Sequence, residues 1–76
     1  MDADLDLCGL KCPLPVLKTR KALAAAAPGA LLRVVCTDAL AAIDIPHLLR
    51  ETGDILERQE RDAERLVFVI RKAGSV

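Results

Sequence analysis

Tryptophan and tyrosine are absent from this 76-residue chain, and Phe68 is its single aromatic residue. Stacking of bases on aromatic platforms is thereby excluded as a way of holding single strands. Net charge is missing as well, because eleven Lys and Arg balance eleven Asp and Glu. The strongly basic balance of a phosphate-backbone binder is not there, and nucleic acid is not an expected partner. No apolar run approaches the ~20 residues that span a bilayer, so no membrane partner is expected. Asp2, Asp4 and Asp6 occupy the place where a secretory signal would carry basic and then apolar residues. The cytoplasm is the expected compartment. Cysteine is scarce and odd in number, at positions 8, 12 and 36. A disulfide-stapled mini-protein would carry more of them, in pairs. Free thiols are expected, and the question is which of them reacts.

Leu, Ile, Val and Phe make up 24 of the 76 residues, enough for a packed core, and twelve alanines add helix filler. Length allows one domain, 1–76. From Asp4 to Cys8 acidic and apolar residues alternate, which predicts a strand with Leu5 and Leu7 on one face, ended by Gly9. Cys12-Pro13-Leu14-Pro15 opens a helix, since proline is tolerated where the N–H would go unpaired. Val16 to Ala27 continues it, with Val16, Leu17, Leu23, Ala24 and Ala27 towards the core and Arg20 partly packed. Pro28-Gly29 stops it. The apolar run Leu31 to Thr37 reads as a second strand, parallel to the first through a right-handed crossover. Asp38 can cap a turn at Ala39 to Ile43. Asp44 can cap a second helix with Pro46 in its first turn and Gly53 at its end. Pro46 argues against one unbroken helix from Ala39 to Thr52. Ile55 to Arg61 and Leu66 to Lys72 form a hairpin about Asp62-Ala63-Glu64, with Leu66, Phe68 and Ile70 sharing a face. The expected fold is a two-layer α/β sandwich of βαβαββ order: a four-stranded mixed sheet with two helices on one face.

Charge is uneven along the chain. Residues 7 to 37 carry Lys11, Lys18, Arg20, Lys21 and Arg33 and no acid, whereas residues 38 to 64 carry eight acids. Lys11, Lys18, Arg20 and Lys21 therefore compose a basic face on the first helix, suited to docking an acidic partner.

Cys12 is the candidate nucleophile. A helix N-terminus presents unpaired N–H groups and partial positive charge, and both favour thiolate. Lys11 pushes the same way, so the Cys12 pKa is expected to fall modestly below the ordinary ~8.5. Pro13 and Pro15 lack N–H groups, which leaves Leu14 and Val16 as the first-turn donors, and both prolines stiffen the turn. A dithiol redox helix would place its second cysteine at position 15, where this chain has proline. The sulfur can therefore accept a terminal sulfur atom without a neighbouring thiol displacing it. Asp38 is expected at the rim of this site, because the end of the second strand lies beside the start of the first helix. Cys8 reads as a strand residue and Cys36 as buried packing. Zinc held by Cys8, Cys12, Cys36 and His47 is not expected, because the ligand spacing is wrong. No metal or organic cofactor is called for.

The segment Asp6-Leu7-Cys8-Gly9-Leu10-Lys11-Cys12-Pro13-Leu14-Pro15-Val16, followed by Arg20-Lys21-Ala22-Leu23 and Pro28-Gly29, resembles the TusA/SirA-like sulfur-carrier family. The likeness continues through Asp38, Asp44-Ile45-Pro46, Gly53 and Ile70-Arg71-Lys72. It implies a βαβαββ sandwich and a sulfurtransferase. It implies that Cys12 takes sulfane sulfur from a persulfide donor protein, of the cysteine desulfurase or rhodanese-like kind, and relays it to an acceptor protein. Gly9, Leu10, Lys11, Pro13, Leu14, Pro15 and Val16 would frame that cysteine. A monomer is the expected state. The family usually has Asp-Pro after the second strand, where this chain has Asp38-Ala39. A protein- or RNA-contacting regulator without catalysis, on the same scaffold, is the alternative reading.

Overall fold

The computed structural model describes residues 3–73. Its elements run β1 (Ala3–Leu7), α1 (Leu14–Ala25), β2 (Leu31–Cys36), α2 (Ala41–Thr52), β3 (Ile55–Asp62) and β4 (Arg65–Arg71). They form one four-stranded sheet in the order β1-β2-β4-β3. β1 and β2 are parallel, as a strand-helix-strand unit requires, and the other two pairings are antiparallel. This is the mixed sheet with βαβαββ order that the periodicity implied.

Alternation along each strand decides which face is covered. Leu32, Val34 and Cys36 of β2 sit opposite Ile70, Phe68 and Leu66 of β4, and Leu7 lies beside Cys36. These residues form one buried cluster with Leu23 of α1 and with Ala41, Ile45, Leu48 and Leu49 of α2. Both helices therefore lie on the same side of the sheet. β3 joins this core mainly through half-buried Leu56, and its other residues are almost all exposed. A charged outer strand of this kind discourages pairing with another chain. The hairpin closes more tightly than expected: Asp62 pairs with Arg65, and Ala63 takes a positive φ of 55°.

Two readings of the helices change. α1 stops at Ala25, short of the expected Ala27, and buries Pro15, Thr19 and Leu23, while Leu17, Ala24 and, beyond its end, Ala27 are exposed. The buried stripe runs i, i+4, i+8, and it passes through Thr19, whose hydroxyl makes it look polar in a hydrophobic pattern. The second correction concerns α2, which is continuous from Ala41 to Thr52 with Pro46 inside it. Its first turn is wound on tight bonds, with the Ala41 N–H donating to Asp38 O and the Ala42 N–H to Ala39 O. Pro46 removes the helical bond its N–H would have made to Ala42, and its ring crowds that carbonyl, at ~3 kcal/mol. Burial of Ile45, Leu48 and Leu49 against the sheet outweighs that loss. Gly53, at φ 83°, ends α2 in the left-handed conformation and donates its N–H to Leu49 O.

Candidate functional site

The loop from Cys8 to Pro13 carries the chain from the end of β1 to the start of α1. Gly9, at φ 85°, lets the Leu10 N–H turn back to Leu7 O at 3.1 Å. The Gly9 N–H donates to Thr37 Oγ1 at 2.9 Å, which ties the loop to the end of β2. Cys12 is exposed, and its peptide bond to Pro13 is cis. Its backbone N–H donates to Asp38 Oδ2, while Asp38 Oδ1 accepts the Leu40 N–H at 3.1 Å. Asp38 thus ties the entry of α2 to the backbone of Cys12.

The electrostatics of Cys12 are opposite to those expected. α1 begins at Leu14, with Pro13 as its cap residue, so Cys12 lies just outside the helix. The Leu14 N–H, one of two expected donors towards the sulfur, is taken by Lys11 O at 2.8 Å. What meets the thiol is Asp44, whose Oδ2 accepts from Cys12 Sγ at 3.5 Å. That hydrogen bond holds the Cys12 pKa above its ordinary value, and partial desolvation and the charges of Asp44 and Asp38 push the same way. A helix end supplies at most ~1 kcal/mol at an exposed site, and two nearby carboxylates overcome it.

Asp44 reaches the sulfur because α2 is unbroken. Instead of capping a helix, it lies inside one, and Asp44, His47 and Glu51 recur on one face at three- and four-residue spacing. That face meets α1 across a cleft of about 160 Å³ lined by Cys12, Val16, Arg20, Asp44, Leu48 and Glu51, with Pro13 and His47 at its sides. Arg20 Nη2 lies 3.2 Å from Glu51 Oε2, and His47 Nε2 lies 3.3 Å from Glu51 Oε1. The sequence marks Asp44 only as a helix cap and His47 only as a zinc ligand that is not expected, and it gives Glu51 no role. Their three- and four-residue spacing is a helical signal, and a break at Pro46 hides it.

The other thiols are placed differently. Cys8 follows β1 in a turn rather than ending the strand, and it is exposed. Its hydrogen bond to Asp6 raises its pKa. Cys36 is fully buried, as expected, and burial pushes its pKa up to about 11. Among the described residues, no group of three or more His, Cys, Asp and Glu side chains converges to hold a metal ion. No described helix is long and apolar enough to cross a membrane. Lys11, Lys18 and Lys21 are exposed, and Arg20 is half-exposed through its ion pair. Of the framing residues, Gly9, Pro13 and Leu14 are exposed, Leu10 and Val16 are half-buried, and Pro15 is buried.

Comparison with known proteins agrees with this arrangement. The sequence model of the family described as "Sulfurtransferase TusA" matches residues 3–72. The sulfur carrier protein TusA of Allochromatium vinosum is 35% identical over 72 residues, covering 95% of each chain. The protein of the same name from Pseudomonas aeruginosa is 39% identical over 72 residues, 95% of this chain and 91% of its own. The crystal structure of a SirA-like protein from Desulfitobacterium hafniense superposes with a TM-score of 0.79 at 26% identity, covering 96% of this chain and 99% of that one. With a matching sequence, a matching fold and an exposed cysteine at the mouth of the helix–helix cleft, this chain belongs to the TusA family of sulfur carriers.

Proposed function

We propose that Cys12 is the residue that carries the sulfur, as a persulfide. The observation that supports this most is its position. Cys12 alone combines exposure with a place in the cleft between α1 and α2. Cys8 is exposed outside the cleft, and Cys36 is buried. In the first half-reaction the Cys12 thiolate attacks the terminal sulfur of a donor persulfide. The donor's S–S bond breaks, and its thiol is restored. In the second, an acceptor thiolate attacks the terminal sulfur on Cys12. With Pro15 one turn on, no second thiol of the same helix intercepts the sulfur between the two steps.

The donor is a persulfide-bearing protein of the cysteine desulfurase or rhodanese-like kind, the acceptor is a second protein, and the exchange takes place in the cytoplasm. Gly9, Leu10, Lys11, Pro13, Leu14, Pro15, Val16 and Asp38 hold the loop that presents Cys12. Lys11, Lys18, Arg20 and Lys21 steer partners to it. Because a carrier releases its partner after each transfer, a charged, modest contact suits the task better than a large apolar one.

The test is intact-mass spectrometry after incubation with a persulfide donor. Wild type, Cys8→Ser and Cys36→Ser gain one sulfur, and Cys12→Ser gains none. Loading of Cys12→Ser to the wild-type extent refutes the assignment.

A further inference from the structure

What touches the Cys12 sulfur is a carboxylate. Half-buried Asp44 accepts from Sγ at 3.5 Å, and Asp38 stands beside it, holding the Cys12 N–H. Other charged groups at the cleft are otherwise engaged or peripheral. Arg20 is drawn 3.2 Å from Glu51, and His47 meets the same Glu51 at 3.3 Å. Lys11 precedes Cys12 with its side chain exposed.

Building on Cys12 as the carrier, we propose that Asp44 is a positioning residue that accepts the proton of the sulfur, from S–H in the empty protein and from S–S–H in the loaded one. The consequence is chemical. A persulfide is a stronger acid than a thiol, so in water near neutral pH it tends to the anion. An anionic terminal sulfur repels an incoming thiolate, whereas a neutral one can be attacked. Asp44 accepts the proton of S–S–H and disfavours the anion, as it does for the thiol.

Release then balances without any oxidant. The acceptor thiolate R–S⁻ attacks the terminal sulfur, a new S–S bond forms, and the bond to Cys12 Sγ breaks. As it breaks, Asp44 hands the proton it holds on S–S–H to Sγ, so the products are R–S–S⁻ and Cys12 as S–H, and no bare thiolate forms against the carboxylate. Uptake needs the thiolate, so the same contact works against it. Asp44 therefore affects the two half-reactions with opposite sign, which a merely structural residue would not do.

Asp44→Asn, nearly isosteric and uncharged, provides the test. Three quantities are compared with wild type: alkylation of Cys12 against pH, loading from inorganic polysulfide, and release of thiocyanate when the loaded protein meets cyanide. Expected are an alkylation midpoint at lower pH, loading faster by several-fold and release slower by several-fold. Asp44→Glu restores wild-type behaviour in part. A midpoint that stays or rises overturns the proposal, and so does release that does not slow. If wild type itself takes up no sulfur, the carrier reading fails, while the alkylation midpoint still decides whether Asp44 governs the Cys12 proton. Asp44→Ser repeats the comparison if circular dichroism shows that Asp44→Asn is unfolded.

Discussion

Replacing Asp38 with alanine would separate two parts of the molecule that one carboxylate joins. Oδ2 accepts the Cys12 N–H from the loop before α1, and Oδ1 accepts the Leu40 N–H at the entry to α2. Loss of a side chain that caps a helix entry costs ~0.5–2 kcal/mol. A hydrogen bond to a charged acceptor contributes ~1.5–3 kcal/mol net when it is sheltered. Asp38 is half-buried and Cys12 is exposed, so water can reach the freed donors and the lower part of these ranges applies. The expected loss is ~2 kcal/mol, the two lower limits together. In a domain of this size each kcal/mol lowers Tm by ~4–8 °C. Total stability at ~0.05–0.15 kcal/mol per residue comes to ~4–11 kcal/mol, so the variant still folds. Urea unfolding followed by circular dichroism measures the loss, which appears as a lower midpoint with an unchanged slope. The charge of Asp38 is one cause of the raised Cys12 pKa, so the alkylation midpoint also moves to lower pH. A loss below ~0.3 kcal/mol, with an unmoved alkylation midpoint, would mean that water satisfies both amides and that Asp38 joins nothing.

Two further outcomes are expected. Cys36 has a folded-state pKa raised to about 11. Its stabilising contribution is complete below the unfolded thiol's pKa and is lost as pH rises through about 11. Urea midpoints of the reduced protein across that range fall for wild type and fall less for Cys36→Ala; identical slopes would show that Cys36 is not the titrating group. Reversal of Lys18 and Lys21 to glutamate slows sulfur exchange with a protein partner, most at low ionic strength because exposed charges are screened over ~8 Å at physiological salt. Loading from polysulfide is unaffected by that reversal, and wild-type exchange at every ionic strength would make the stripe ordinary solvated surface.

Much of the architecture is legible from local pattern. Period-two alternation locates β1 and β4, an apolar run locates β2 and the hairpin locates β3, each to within about a residue. Leu66, Phe68 and Ile70 are buried as their spacing requires. Gly53 marks the end of α2, since a left-handed residue is cheapest as glycine. Cys12 stands out because Pro13 and Pro15 follow it, and Asp38 because it closes the neighbouring parallel strand. These features depend on residues near one another in the chain, or on a single crossover.

Long-range packing decided the rest. Thr19 is buried although its hydroxyl marks it as polar, because α1 turns that side to the sheet. Pro46 sits inside a continuous helix because burial of Ile45, Leu48 and Leu49 on α2 gains more than the proline costs. The charge of the site changed sign for the same reason. Read along the chain, Cys12 lies in a stretch with basic residues and no acids. Folding sets α2 against α1, places Glu51 on Arg20 and brings Asp44 onto the sulfur from 32 residues away. Sequence alone determined the scaffold and that Cys12 lies exposed where the first helix begins. Tertiary structure determined that its neighbour is a carboxylate, because a thiol's pKa depends on groups within a few ångströms in space, not on neighbours in the chain.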